Sequence, residues 1–314
     1  MMQAVRKIVG NALTPAARAW IRYSPIPIGK PWLWQTFHWR YRDFSCRTKF
    51  GGRISGNTED LIQRHLYYFG TWEPDITDWI SATLRPGDCF VDIGANIGHY
   101  SLLASRIVGA DGRVVAVEAA QSIHSILDRH VAMNGRRNIR TVQAAASAER
   151  GVLRLFPGSR DNIGKTTTIA RSGESIVSNS IEVPALPLSE ILSEDEIQRT
   201  RIIKIDVEGA ELQVLRGLGP VLGRLRKDAE IVMEISPGLM PDPERSREEI
   251  FAVMKEHGFS ASVFDNDYGV DSYLRRGAGR SPVALNGTRI TAQTDILFSR
   301  NREAPRAVAE RASA

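Results

Sequence analysis

The residues best placed to do chemistry stand in a glycine-containing loop between a short apolar segment and a helical pattern. The apolar segment, residues 89–93, contains one acid, and the loop after it has the sequence GANIG. Glycine allows positive φ angles and close approach of the backbone to a ligand. In doubly wound sheets, ligands bind beyond the carboxyl ends of the strands, where such a loop lies. The predicted binding residues here are Asp92, Gly94, Asn96 and Gly98.

A second acid follows the next predicted strand. Glu118 comes 20 residues after Gly98, where a carboxylate can bind the two ribose hydroxyls of an adenosine. The loop lacks the third glycine of the dinucleotide fingerprint, which disfavours a pyrophosphate. An acid before the loop suits a cationic ligand, and S-adenosylmethionine carries an ammonium and a sulfonium group but no phosphate. We therefore expect S-adenosylmethionine as the cofactor, with a plain strand-to-helix turn as the alternative.

A further cluster of charged residues, KIDVEGAE at positions 204–211, follows another predicted strand. Alternation along that strand places Lys204 and Asp206 on the same side, and Glu208 opens the next helix. This arrangement predicts acids beside the cofactor loop. The alternative is structural: a buried ion pair between Lys204 and Asp206, with Glu208 and Glu211 favouring a helix N-terminus.

Taken together, the two motifs at 92–98 and 204–211 resemble the FkbM family of S-adenosylmethionine-dependent methyltransferases. The resemblance runs from about Thr71 to Arg300. It implies an α/β, class I methyltransferase (Rossmann-like) fold: a seven-stranded, mostly parallel sheet with helices on both faces and a reversed last strand. It also implies methyl transfer, usually to oxygen. Ala119 departs from the proline that many relatives have after the acid.

Methyl transfer to a hydroxyl requires alignment and removal of a proton, because the cofactor carries the reactivity. We predict Asp206, Glu208 and Lys204 as the catalytic residues; Lys204 could act as a base only if desolvation lowered its pKa. Glu234 and His99 are further candidates, with packing as the alternative for His99. Asp206, Glu208 and Glu234 could collect magnesium but lack any recognised ligand spacing, so no metal ligand is assigned and metal dependence stays open.

Two segments outside these motifs are candidates for ligand contact. Glu73 is expected to reach the amino-acid end of the cofactor or to cap the helix that follows it. Residues 162–167, NIGKTT, look like the end of a P-loop, but five residues separate Gly158 from Gly164 where that motif needs four. We interpret this segment as a polar loop at the mouth of the crevice, with Asn162 or Thr167 as candidate substrate contacts.

Predicted strands and helices alternate from about residue 86, which indicates βαβ units and a parallel sheet. The predicted strands are 89–93, 113–117, 139–143, 152–156, 181–186, 201–206, 230–235, 259–264 and 294–298. The predicted helices are 101–108, 121–133, 208–218 and 246–257. We divide the chain into a basic, aromatic-rich N-terminal extension (1–70), a methyltransferase domain (71–300) and a disordered tail (301–314).

The composition is that of an ordinary globular protein, with 314 residues, 42% hydrophobic residues and two cysteines. Two cysteines cannot form a disulfide framework, and no CxxC pair is present to hold zinc. We find no apolar run of transmembrane length and no convincing signal-peptide core. The expectation is a cytoplasmic protein.

Charge and tryptophan are concentrated at the N-terminus. Residues 1–50 contain nine Lys or Arg, one acid and four of the six tryptophans. The extension therefore carries +8 and the remainder −3, since 32 basic residues face 35 acids there. This asymmetry argues against a nucleic-acid-binding protein. Either residues 1–50 contact an anionic membrane peripherally at its inner face, or they pack on the acidic body.

The predicted function is methylation, dependent on S-adenosylmethionine, of a hydroxyl on a sugar, glycolipid or secondary metabolite. One alternative is a nicotinamide-dependent oxidoreductase, which the missing third glycine and the lack of a tyrosine–lysine pair disfavour. Another is a membrane-surface binding protein with a vestigial methyltransferase body. The acceptor, the oligomeric state and the identity of the general base stay open.

Overall fold

The computed structural model describes residues 2–168, 180–266, 268–274, 279–285 and 290–300, with side chains from residue 13 onward. The helices are α1 (Met2–Tyr23), α2 (Lys30–Phe37), α3 (Leu61–Phe69), α4 (Pro74–Thr83), α5 (His99–Val108), α6 (Gln121–Met133), α7 (Leu188–Ile191), α8 (Glu194–Arg199), α9 (Glu211–Leu222), α10 (Pro243–Glu256) and α11 (Val270–Leu274). A 3₁₀ turn covers Pro237–Leu239. The predicted tail at 301–314 lies outside the described residues.

The strands are β1 (Asp43–Arg47), β2 (Arg53–Asn57), β3 (Cys89–Ile93), β4 (Arg113–Val117), β5 (Ile139–Val142), β6 (Ala145–Ala146), β7 (Gly151–Leu155), β8 (Ile181–Leu186), β9 (Thr200–Ile205), β10 (Glu230–Ile235), β11 (Ser260–Val263), β12 (Val283–Ala284) and β13 (Thr294–Ser299). They form a two-stranded, a three-stranded and an eight-stranded sheet.

The eight-stranded sheet carries the predicted architecture. Its strand order is β12-β11-β13-β10-β9-β3-β4-β5. The strands from β10 to β5 pair in parallel, whereas β13 runs antiparallel between β10 and β11. The α/β fold with a reversed last strand is thus confirmed. The predicted strand count is one too low, because β12 adds an edge strand of only two residues, too short for a periodic pattern.

Burial explains why the central strands were predictable. Every residue of β3 is buried, as expected of a strand covered by helices on both faces. The start of α9 was predicted less well. It begins at Glu211 rather than Glu208, because Glu208 and Gly209 have φ angles of 48° and 101°, which a right-handed helix does not allow.

A small sheet of β6, β8 and β7 follows the central strands. Strands β7 and β8 are antiparallel, with Gly151 opposite Ala185 and Leu155 opposite Ile181. Both strands were predicted, as was the polar loop between them, of which residues 169–179 lie outside the described part. This sheet places residues 156–168 beside the carboxyl ends of β3 and β4, where they line a cavity described below.

The N-terminal extension is folded onto the sheet domain. Ile21, Trp34 and Phe37 belong to the same buried cluster as residues of α5, β3 and β4. Within the extension, the Tyr68 hydroxyl donates to the carbonyl of Phe37 over 2.9 Å. Strand β2 is joined to the body through the backbone N–H of Arg53, which donates to the Asn134 side chain over 2.7 Å. None of the described helices is long and apolar enough to span a bilayer.

Candidate functional site

A cavity of about 320 Å³ opens at the carboxyl ends of the central strands, which is the size of a small-molecule site. One side of it is formed by the glycine loop after β3, the end of β4 and the start of α6. The opposite side is formed by the segment after β9, the end of β10 and Tyr268. The residues that line it include Glu73, Gly94, Asn96, Glu118, Ile123, Leu155, Asn162, Asp206, Glu208, Glu234, Tyr268 and Gln293.

The glycine loop has its two glycines and Asn96 in the left-handed region, with φ angles of 80°, 89° and 50° for Gly94, Gly98 and Asn96. A Cβ on Gly94 would lie 1.8 Å from the carbonyl oxygen of Asp206. Gly94 therefore allows the ends of β3 and β9 to meet. Gly98 requires a correction: it faces Leu127, 2.6 Å from a built Cβ, and does not line the cavity. Its role is to start α5.

Glu118 lies where the sequence predicted it. One carboxylate oxygen accepts the backbone N–H of Asn96 over 3.0 Å, and the other accepts that of Ala120 over 2.9 Å. These bonds fix the carboxylate at the cavity wall. Burial raises the pKa of Glu118 to about 7, since desolvation disfavours the charged form. The carboxylate retains lone pairs that can accept hydrogen bonds from hydroxyl groups.

Asp92 requires a correction as a ligand contact. It is buried in β3, accepts a hydrogen bond from the Ser101 hydroxyl over 2.5 Å, and does not line the cavity. Burial raises its pKa to about 6, partly offset by the charge of Lys204. Asp92 supports the glycine loop and α5 from below rather than facing a ligand.

Lys204 also departs from its predicted role. Its Nζ donates to Asp206 over 2.6 Å and lies 4.9 Å from the centre of the Tyr100 ring. Burial alone would lower the pKa of Lys204, but the carboxylates of Asp206, Glu73 and Asp92 raise it above the ordinary value. These carboxylates favour the charged form of Lys204, which disfavours the predicted role as a general base. The ion pair that was the structural alternative is present.

Asp206 and Glu208 both face the cavity. Asp206 is the more accessible, with 27% of its side chain exposed. Glu208 is held in its unusual backbone conformation by the buried Thr167, whose hydroxyl donates to the Glu208 carbonyl over 2.8 Å. Thr167 therefore anchors the 156–168 loop, whereas Asn162 of the same loop lines the cavity.

A cluster of acids that come from distant parts of the chain completes this side of the cavity. Glu73 accepts hydrogen bonds from the hydroxyls of Tyr100 (2.5 Å) and Tyr268 (3.0 Å). Burial, with a contribution from Asp295, raises the pKa of Glu73 to about 8. Although it stands at the N-cap position of α4, its side chain makes no capping bond. The capping alternative is therefore wrong.

Glu234 lies at the far end of the same cluster. It accepts a hydrogen bond from Gln293 over 2.6 Å, and burial raises its pKa well above the ordinary value. Asp295 stands opposite Glu234 in the antiparallel register of β10 and β13. The sequence analysis missed Asp295, Gln293 and Tyr268; the acid directly before the apolar run 296–298 of β13 was the available signal.

Two groups of carboxylates are close enough to share a cation: Glu73 with Glu234 and Asp295, and Asp206 with Glu208 and Glu234. Apart from Asp206 and Glu208, which share one segment, these acids stand on separate strands and loops, so the sequence showed no ligand spacing. The carboxylate oxygens of either group suit a hard cation such as Mg²⁺.

His99, the remaining candidate base, packs outside the cavity. Its ring lies against Phe50 and Tyr100, and its Nε2 is 3.2 Å from the Thr77 hydroxyl. Burial lowers its pKa to about 3. The packing interpretation of His99 therefore holds.

The chain is similar to known methyltransferases. The family model described as "Methyltransferase FkbM domain" matches residues 92–261. Methyltransferase sdnD of Sordaria araneosa is 26% identical over 221 residues, covering 61% of this chain and 81% of that protein. The 31-O-demethyl-FK506 methyltransferase FkbM of Streptomyces tacrolimicus is 29% identical over 203 residues, covering 56% and 74%. The crystal structure of a methyltransferase FkbM from Methylobacillus flagellatus aligns with a TM-score of 0.43 and 14% identity, over 76% of this chain and 55% of that chain.

Proposed function

The chain belongs to the FkbM methyltransferase family, and we propose that it transfers a methyl group from S-adenosylmethionine to a hydroxyl of a sugar, glycolipid or secondary metabolite. One observation carries the proposal: a single cavity has an oriented carboxylate, Glu118, on the side of the glycine loop and a group of acids on the other. The first side suits an adenosine and the second suits an acceptor hydroxyl.

The residues on the first side fit S-adenosylmethionine. Glu118 would hold the ribose hydroxyls, because its carboxylate is already fixed by two backbone N–H groups. Ile123 and Leu155 provide an apolar surface of the kind an adenine ring requires. Glu73, which also lines the cavity, would accept a hydrogen bond from the ammonium group. When bound, the cofactor supplies an electrophilic methyl group on a sulfonium.

The residues on the second side can orient a hydroxyl and take its proton. Asp206 and Glu208 both face the cavity, and the Nζ of Lys204 fixes one carboxylate oxygen of Asp206. A carboxylate at hydrogen-bond distance from the acceptor hydroxyl would take its proton. Lys204 acts as a positioning residue in this proposal.

Oxygen as the accepting atom is supported by two considerations. The name of the Streptomyces tacrolimicus relative, 31-O-demethyl-FK506 methyltransferase, describes methylation of an oxygen. A hydroxyl also needs a base more than a neutral amine does, and this cavity is rich in carboxylates. For a sugar acceptor, the rings of Trp72 and Tyr268, 5.6 Å apart, supply apolar faces beside the hydrogen-bond acceptor oxygens of Glu73.

We also propose that the reaction takes place in the cytoplasm, since Cys46 and Cys89 are both free thiols.

The test compares Asp206→Asn and Glu208→Gln with the unchanged enzyme. We expect turnover of a hydroxylated acceptor to fall by on the order of 10²–10⁴, the usual contribution of general acid–base catalysis. Cofactor affinity, measured by titration calorimetry, should change little. Full turnover in both variants would rule out this base, and binding of NAD without binding of S-adenosylmethionine would overturn the cofactor proposal.

A further inference from the structure

The exposed large apolar side chains of the described residues are concentrated in one part of the N-terminal extension. Eight of them lie between residues 13 and 41, and three lie elsewhere, at Val152, Tyr268 and Val283. Scattered exposed apolar residues are normal in a folded protein, but a concentration of them marks an interaction site. We refer to Trp20, Tyr23, Ile26, Ile28, Trp32 and Trp39 as the N-terminal apolar surface.

The loop between α1 and α2 forms the centre of this surface. Its residues 25–29, with the sequence PIPIG, are all exposed, and Ile28 is 78% exposed. The Trp20 indole N–H donates to the carbonyl of Ile28 over 3.1 Å, which holds the loop against α1. Two prolines further restrict its backbone. The loop is thus presented to solvent in a fixed form.

Helix α2 is anchored by one face and presents the other. Trp34 is buried against the rings of His38, His65 and Phe69. Trp32, two residues earlier and on the opposite face, is 65% exposed. Trp32 does not take part in the packing that anchors the helix, so its side chain is available to contact another partner.

Charge indicates which partner fits. Residues 13–42 contain no acid and five basic residues, of which Lys30 is buried and the four arginines are half-buried. The guanidinium of Arg40 lies 4.8 Å from the centre of the Trp39 ring, and that of Arg22 lies 5.3 Å from the centre of the Tyr23 ring. Cations beside exposed aromatic rings match the headgroup region of an anionic bilayer, where basic residues meet phosphates and tryptophan prefers to lie.

We propose that the N-terminal apolar surface docks the protein peripherally on an anionic lipid bilayer. The apolar loop and Trp32 enter the interface, and the neighbouring arginines contact lipid phosphates. The protein lies on the membrane, as an interfacial anchor does, without crossing it. Helix α1 packs against α3, whose first residues, Leu61 and Ile62, line the cavity.

The experiment uses the full chain and sedimentation with vesicles. Vesicles of phosphatidylcholine alone are compared with vesicles that also contain phosphatidylglycerol. We expect binding to the anionic vesicles that weakens with added salt. The double variant Ile28→Ser/Trp32→Ser should reduce the partition coefficient by about tenfold or more. The matched control Val152→Ser/Val283→Ser removes two equally exposed apolar side chains elsewhere and should bind as the unchanged protein does.

Point substitutions are preferable to deleting residues 1–50, because Ile21, Trp34 and Phe37 belong to the core. Circular dichroism should show both variants folded. Failure of the full chain to bind anionic vesicles at low salt would overturn the proposal, as would equal loss in the two variants. A concentration-dependent dimer that Ile28→Ser/Trp32→Ser dissociates would assign the surface to a second copy instead. None of these outcomes depends on methyl transfer.

Discussion

At the scale of single residues, the cavity depends on carboxylates whose environments differ. Glu118 is fixed by two backbone N–H groups, Asp206 by one ammonium, and Glu73 by two tyrosine hydroxyls. Burial raises the pKa of Glu118 to about 7 and that of Glu73 to about 8. Small changes in pH near neutrality therefore change the charge that the cavity presents to a ligand.

The first prediction concerns Glu118. Ribose hydroxyls donate hydrogen bonds, so S-adenosylmethionine should bind best when Glu118 is ionised. Because its pKa is about 7, the ionised fraction, and with it the affinity, should rise about tenfold between about pH 6 and about pH 8. Glu118→Gln should bind weakly and lose this component of the pH dependence. Titration calorimetry over that range measures both. An unchanged slope in Glu118→Gln would assign the dependence to another group, such as Glu73.

The second prediction concerns Lys204. Its ammonium is buried among the carboxylates of Asp92, Asp206 and Glu73, so Lys204→Met leaves these acids without their cation. We expect a loss of about 3–5 kcal/mol in the free energy of unfolding, as for other broken buried pairs, measured with urea. The exposed Lys227→Met is the control and should change stability by less than about 0.5 kcal/mol. A stable Lys204→Met would show that the acids are largely protonated without it.

The sequence predicted Glu118, Asp206 and Glu208 at the cavity because each follows a strand at its carboxyl end. Asp92 was misassigned for a related reason: it is the second-last residue of its strand, and alternation directs it below the loop towards Ser101. Lys204 was misjudged because burial alone lowers the pKa of a lysine. Only the structure shows that three acids surround it. Asp295 in β13 and Gln293 just before it lie about 60 residues beyond Glu234, and no local pattern links them to it.

At the scale of elements, the site is assembled where strand ends meet. The end of β3 and the end of β9 approach so closely at Gly94 that a side chain has no room. Apolar runs and glycines made the central strands predictable. The hairpin β1–β2 and the edge strand β12 were missed, since the hairpin is half-exposed and β12 has two residues. Their pairing is decided by neighbours rather than by their own pattern.

The third prediction separates close approach from backbone strain. Gly94 and Gly87 have φ angles of 80° and 88°, so alanine costs about 1–2 kcal/mol of strain at either position. At Gly87 the added Cβ meets nothing within 4 Å, whereas at Gly94 it meets the Asp206 carbonyl. Gly94→Ala should therefore destabilise the protein by at least about 2 kcal/mol more than Gly87→Ala and should weaken cofactor binding. Equal losses in urea unfolding would show that strain alone accounts for the glycine.

At the scale of the whole molecule, the N-terminal extension has one face that packs against the core and one face that is exposed to solvent. Its inner face contributes Ile21, Trp34 and Phe37 to the core shared with the sheet domain. Its outer face leaves Trp20, Trp32 and Trp39 exposed. The sequence offered packing and membrane contact as alternatives because composition gives no indication of which tryptophan faces inwards. In α2, the inward face packs on the body, as the packing alternative expected. The docking proposal concerns the outward face.

The last prediction uses the two tryptophans of α2 to test whether the extension and the sheet domain unfold as one unit. Trp34 is 8% exposed and packs in the shared core, whereas Trp32 is 65% exposed. Trp34→Ala should lower the free energy of unfolding by about 3–5 kcal/mol, and Trp32→Ala by less than about 0.5 kcal/mol. Because the core is continuous, circular dichroism and the protection of β3 amides against hydrogen exchange should report the same loss. If Trp34→Ala lowered protection only in α1 and α2 while β3 kept its full protection, the extension would unfold separately and the boundary predicted at residue 70 would be a true domain boundary.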